Sequence, residues 1–151
     1  MKRLLLPPVV WFASVGAMVI LQRTWPVAAV PAEVRVLAWM AGGMLVLVGI
    51  AMAQWHAGLF KRIGTNINTF GEPGMLTTAG LFAYTRNPMY LGMLLALAGV
   101  ALALGALSPW LLVLLFFVLA QWWYIPLEER KLAARFGQRY VDYCRDVRRW
   151  V

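Results

Sequence analysis

Acidic residues are scarce in this sequence: 6 Asp and Glu stand against 14 Lys and Arg, in a chain of which only 13% is charged. Cysteine and histidine are scarcer still. The single cysteine, Cys144, excludes an internal disulfide, and with the single histidine, His56, it leaves no Cys/His cluster for structural zinc, so no metal is expected. Internal repeats and low-complexity segments are absent. What remains is apolar: 62% hydrophobic residues and a mean hydropathy of +0.71 lie well above a soluble domain and argue against one. A net charge of +8 raises nucleic acid as a partner. Basic residues flanking apolar runs instead face anionic headgroups and obey the positive-inside rule, so membrane lipids are the expected partners and nucleic acid is not.

Four apolar segments predict an all-α, polytopic membrane protein forming one domain over residues 1–151. The first, 4–21, would rise ~27 Å as helix, close to the hydrocarbon thickness of a bilayer. Pro7 and Pro8 suit a helix's first turn, so the regular part starts there. Lys2 and Arg3 before an apolar stretch also fit a signal peptide, but no small-x-small cleavage site precedes Gln22, which favours a retained span. The second segment, 34–55, has Trp39 and Trp55 towards its ends, as in an aromatic belt. The third, 89–107, contains no charge or amide. Ser108 and Pro109 follow as a tight turn, with Ser placed to cap and Pro to open the fourth segment, 110–124.

The basic residues sort by side. With the N-terminus in the cytoplasm, Lys2, Arg3, Lys61, Arg62, Arg86, Arg130, Lys131, Arg135, Arg139, Arg145, Arg148 and Arg149 face inward, and only Arg23 and Arg35 face out. Both termini are thus expected on the cytoplasmic side of the cell (inner) membrane. Residues 57–84, with Gly64, Gly71, Pro73 and Gly74 marking turns, predict an ordered cytoplasmic connection. From 126 to 151 the chain is amphipathic. Leu132, Phe136, Tyr140, Tyr143, Val147 and Trp150 form an apolar stripe on a helix, or on two joined near Gly137.

Two polar clusters stand out. Tyr84-Thr85-Arg86-Asn87-Pro88-Met89-Tyr90-Leu91-Gly92 opens the third segment, where Asn87 can cap, Pro88 can take the first helical position and Arg86 can meet headgroups. Capping alone requires neither Arg nor Tyr, since Ser108-Pro109 has neither. Glu128-Glu129 follows Pro126, where acids in a first helical turn gain ~0.3 to 1 kcal/mol from the macrodipole. Carboxylates at a membrane boundary are nevertheless costly unless paired, and Arg86 is the available partner. If the third and fourth segments form a hairpin, Arg86, Tyr90, Glu128 and Glu129 converge on one pocket between polar and lipid phases. His56 reads as an interface residue, and Cys144 has no neighbour that would lower its pKa.

The order Arg86-Asn87-Pro88-Met89-Tyr90-Leu91-Gly92, an apolar hairpin, Glu128-Glu129, then Phe136-Gly137-Gln138-Arg139-Tyr140-Val141-Asp142-Tyr143 resembles the isoprenylcysteine carboxyl methyltransferase and phospholipid N-methyltransferase family of membrane enzymes. It covers about half the chain, from roughly Leu76 onward. The resemblance implies a methyltransferase in which S-adenosylmethionine binds between these motifs and a lipophilic methyl acceptor enters from the bilayer. Carried over, Arg86, Asn87, Pro88, Tyr90, Gly92, Glu128 and Glu129 would bind the cofactor, with Arg86, Tyr90 and Glu128 at the reacting groups. A Gly-x-Gly-x-x-Gly motif is missing, which is no objection because the family does not use the dinucleotide-type fold. Asn87 stands where the eukaryotic prenylcysteine enzymes have His, which weakens prenylcysteine as acceptor and leaves a lipid amine, a carboxylate or a small thiol open. The competing expectations are an NADPH-dependent reductase, because membrane sterol reductases share a Tyr-Cys pair like Tyr143-Cys144, and a non-catalytic scaffold.

Overall fold

The computed structural model describes residues 6–62 and 74–151, and among these every regular element is helical. Helix α1 is Pro7–Thr24 and α2 is Ala32–Arg62; after a 3-10 turn at Gly80–Ala83 come α3, Pro88–Leu104, and α4, Trp110–Leu119. A π-turn at Ala120–Tyr124 joins α4 to α5, Ile125–Phe136, and α6 is Gln138–Asp146. Two stretches, Ala32–Leu59 and Trp110–Phe136, are long and apolar enough to cross a membrane, and α3 is a shorter apolar helix. Outward-facing side chains such as Phe12, Leu37, Met44 and Leu47 are about 70% exposed, so the apolar residues clothe the bundle as well as fill it. The expected turns at Gly64, Gly71 and Pro73, and Lys2, Arg3 and the start of the first segment, lie outside the described residues.

Helices α2 and α3 pack antiparallel with their backbones nearly touching. A Cβ at Gly42 would lie 2.5 Å from the Gly99 carbonyl oxygen, one at Gly99 would lie 2.5 Å from the Gly42 oxygen, and one at Gly49 would overlap the Gly92 oxygen. The paired glycines recur two turns apart on each helix, so the contact follows a single stripe. Lipid is as apolar as leucine, so helices in a bilayer are held by such close packing rather than by apolar burial. Gly42 and Gly49 thus face α3 within the chain, whereas a Cβ at Gly43 would meet nothing within 4 Å. Beside this pair, Met18, Leu97, Ala101 and Phe116 join α1, α3 and α4 in one core cluster, and Trp11 Nε1 donates to the Met93 carbonyl at 2.9 Å.

Element ends differ from expectation for local reasons. Helix α2 continues past 55 to Arg62. Helix α3 stops at Leu104 because Gly105 is left-handed (φ 71°) and turns its N–H back to the Ala101 and Leu102 carbonyls. Ser108 makes no capping bond, and Pro109 itself holds the N-cap position of α4. The loop after α1 closes this end of the bundle, with Leu107 N–H donating to Val27 O at 2.8 Å and Val30 N–H to Gly105 O at 2.7 Å.

The expected break at Pro126 is instead a continuous helix. Proline has no N–H and its ring presses on the carbonyl four residues back. The π-turn just before it widens the helix, and Ile125 N–H donates to Ala120 O. Glu128 and Glu129 therefore sit inside one long helix, not at a free helix start, which reduces the macrodipole account of them.

The amphipathic region is two helices, as its glycine suggests. Gly137 holds φ 53°, ψ −127°, a conformation that side-chain-bearing residues avoid. Tyr140, Tyr143 and Val147 are buried, with Leu132 and Phe136 packed against them, and Tyr143 Oη donates to Phe82 O at 2.7 Å. This bond ties α6 to the 3-10 turn. Burial pushes the Tyr143 phenol up to about 12, with Arg86 opposing the shift, so the phenol stays a donor.

Two outcomes follow for stability. Gly49→Leu forces α2 off α3 and lowers the unfolding free energy in detergent by ~1 to 3 kcal/mol, as overpacking costs, seen as a lower thermal midpoint, whereas Gly43→Leu leaves it unchanged. A folded-state pKa raised above the unfolded value gives stability that is complete below pH ~10 and is lost as pH rises towards 12. The stability gap between wild type and Tyr143→Phe therefore narrows between those limits, measured by chemical unfolding across the alkaline range.

Candidate functional site

The polar clusters meet at one end of the bundle. Pro88 opens α3, and Asn87 occupies its N-cap position without capping it. Its amide is drawn elsewhere: Asn87 Nδ2 donates to Arg149 O at 2.9 Å, and Thr85 Oγ1 donates to the same oxygen at 3.2 Å while accepting from Asn87 N–H at 3.2 Å. Arg86 N–H donates to Arg148 O at 3.0 Å. The segment after α6, which turns extended at Val147 (φ −124°, ψ 131°), is thus laced to the residues that start α3.

The two glutamates have different company. Glu129 is gripped by two guanidiniums: Arg86 Nη2 donates to Oε1 at 3.2 Å, and Arg149 donates through Nε to Oε1 at 3.1 Å and through Nη2 to Oε2 at 2.6 Å. These side chains are only 14%, 29% and 20% exposed for Arg86, Arg149 and Glu129, so water screens the cluster weakly. Glu128 accepts from Tyr90 Oη at 2.8 Å. The Tyr90 ring stacks on Tyr124, with centroids 5.9 Å apart and planes 10° from parallel, so the phenol is fixed from behind. Two cations over one carboxylate leave the Arg86–Glu129–Arg149 group net positive. Arg86 Nε is buried and has no hydrogen-bond partner among the described residues, a cost of ~1 to 3 kcal/mol unless a ligand accepts from it. Tyr140 borders the same group, and its phenol is pushed up first by burial, then by a hydrogen bond with Cys144 and the charge of Glu129, with Arg86 opposing.

Of the residues singled out in the sequence, Arg86, Asn87, Pro88, Tyr90, Glu128 and Glu129 gather here. Gly92 packs instead against Gly49, where a Cβ would lie 2.7 Å from that residue's carbonyl oxygen. Its place is in the α2–α3 contact that positions the start of α3. Sequence reasoning placed Thr85 in the first polar cluster but missed Arg149, Gln121 and Tyr124 as members. Gln121 Oε1 accepts from Trp150 Nε1 at 2.8 Å, and Trp150 lies against Phe117 with ring centroids 5.4 Å apart. Gln121 was the findable one, being the only amide within the fourth apolar segment.

An apolar groove of about 400 Å³ adjoins this end, between α3 and α4, lined by Leu91, Leu94, Leu95, Ala98, Trp110, Val113, Leu114 and Phe117. It begins one residue beyond Tyr90, and its Phe117 wall is the residue Trp150 touches. A polar, charge-bearing site and a hydrocarbon-lined slot are therefore neighbours. Among the described residues no group of three or more His, Cys, Asp or Glu could hold a metal ion.

A protein of Haemophilus influenzae, described as uncharacterized, is 40% identical over 63 residues, which is 42% of this chain and the whole of that protein. No solved structure matches. The model of the phospholipid methyltransferase family matches residues 37–139, from α2 into α6, and so spans both polar clusters and the glycine-packed pair α2 and α3. The chain belongs to the phospholipid methyltransferase family.

Proposed function

We propose that this protein is a multi-pass enzyme of the cell (inner) membrane, with α1, α2, α3 and the α4–α5 helix crossing it, that transfers a methyl group from S-adenosylmethionine to a lipophilic acceptor at the cytoplasmic face. The observation that carries this reading is the buried, unpartnered Arg86 Nε of the Arg86–Glu129 pair, at the same end of the bundle as the Tyr90–Glu128 bond, next to an apolar groove that begins at Leu91. Membership of a methyltransferase family makes methyl transfer the chemistry for which such a site is built.

The residues present fit the methyl donor. Bound there, S-adenosylmethionine supplies an electrophilic methyl group on a sulfonium. Its ammonium and ribose hydroxyls are donors that a carboxylate can accept, and Glu128, oriented by Tyr90, offers one. Its carboxylate is an acceptor that suits the free Arg86 Nε–H. Asn87 and Pro88 shape the backbone on which Arg86 stands, and Glu129 holds the far side of Arg86. Methyl transfer is an in-line displacement, so the protein's task is to align donor and acceptor and keep water out. The groove between α3 and α4 suits the hydrocarbon part of an acceptor whose polar group reaches Tyr90. The exposed arginines 130, 135, 139, 145 and 148 on α5, α6 and the following segment favour contact with anionic headgroups of the same face. The Tyr143-Cys144 pair on which a reductase reading leans is engaged in packing, Tyr143 with Phe82 and Cys144 with Tyr140.

Purified protein in lipid nanodiscs is expected to bind S-adenosylhomocysteine saturably and to transfer an isotope-labelled methyl group to extracted membrane lipids, read by mass spectrometry. Glu128→Gln and Tyr90→Phe weaken that binding by about tenfold or more, the loss of ~1.4 kcal/mol from one charge-assisted contact. A wild-type protein that ignores the nucleoside, or that is stabilised by NADPH instead, would overturn the assignment.

A further inference from the structure

We propose that Arg149 is a positioning residue of the methyl-donor site, acting through Glu129 to keep the Arg86 Nε–H free for the ligand; this rests on the function proposed above. Nothing in the family resemblance pointed to Arg149. The geometry does. Arg149 takes Glu129 in a two-bond grip, using both carboxylate oxygens, and leaves Arg86 a single bond from Nη2 to Oε1.

A carboxylate facing one arginine favours a bidentate fork, and one of the forks open to guanidinium uses Nε together with an Nη. Were Arg149 absent, Glu129 would be free to fork onto Arg86 in that way. The Nε–H that is now buried and unpartnered would be consumed within the protein. Arg149 prevents this by engaging Glu129 first.

Arg149 is itself well held. Its carbonyl oxygen receives Asn87 Nδ2 and Thr85 Oγ1, Arg148 O receives Arg86 N–H, and Trp150 Nε1 is bonded to Gln121 on the π-turn. Its position is therefore set by the start of α3 on one side and by the α4–α5 junction on the other. These are the two elements that carry Arg86 and Glu129. Arg148, by contrast, is exposed.

The full-length protein in nanodiscs tests this by equilibrium binding of S-adenosylhomocysteine. Arg149→Ala is expected to weaken binding by about tenfold or more, Arg149→Lys by less, and Arg148→Ala not at all. In turnover, Arg149→Ala raises KM for the methyl donor while kcat at saturating donor holds. The decisive variant is Arg149→Ala combined with Glu129→Gln. If Glu129 captures Arg86 when Arg149 is gone, weakening that carboxylate restores part of the lost affinity, a recovery that a merely structural role does not produce. Wild-type affinity in Arg149→Ala, or a double variant that binds worse than Arg149→Ala, overturns the proposal. Should Arg149→Ala fail to fold, Arg149→Lys with and without Glu129→Gln gives the same comparison. A wild type that binds no nucleoside defeats the underlying function instead, and is distinguished by that control alone.

Discussion

The closeness of α2 to α3 is the constraint on which the rest of the molecule depends. Two glycines on each helix remove the side chains that would hold the backbones apart. The gain is van der Waals contact along a stripe, in surroundings where apolar burial offers no preference between helix and lipid. Helix α3 is thereby fixed in position and rotation, and with it the residues at its start. Tyr90 can reach Glu128, and Arg86 can reach Glu129, because the helix that carries them has one seat on α2 and shares a core with α1 and α4.

Much of this was legible in the sequence, and the reasons divide cleanly. The apolar segments are long enough to announce helices, and the charges beside them announce a face, because both signals are local and additive. The convergence of Arg86 with Glu129 followed from a cost argument: a carboxylate near a bilayer needs a cation, and few were in reach. Gly137 announced a break between α5 and α6, and the break is there. Pro126 announced one too, and the helix runs through it, because a turn of different pitch absorbs the missing N–H. Local rules state that proline is expensive in a helix; they do not state which neighbouring turn will yield.

Arg149 was illegible for a different reason. As one of several arginines after α6, it has no sequence neighbour to mark it out, and its placement depends on Val147 turning the chain extended and on carbonyls near it accepting from Thr85, Arg86 and Asn87. Those bonds span more than sixty positions of sequence. Asn87 shows the same limit from the other side. Its position is that of a cap, yet its side chain answers to the distant carbonyl of Arg149.

The π-turn at Ala120–Tyr124 has one more effect, on direction. A helix advances ~100° with each residue, so a turn that accommodates an additional one rotates everything beyond it by about that angle about the axis, relative to an unbroken helix. Glu128 and Glu129 lie beyond it. Their aim, towards Tyr90 and the arginines, is therefore a matter of phase: the wider turn sets the angle at which the last third of the long helix presents its side chains.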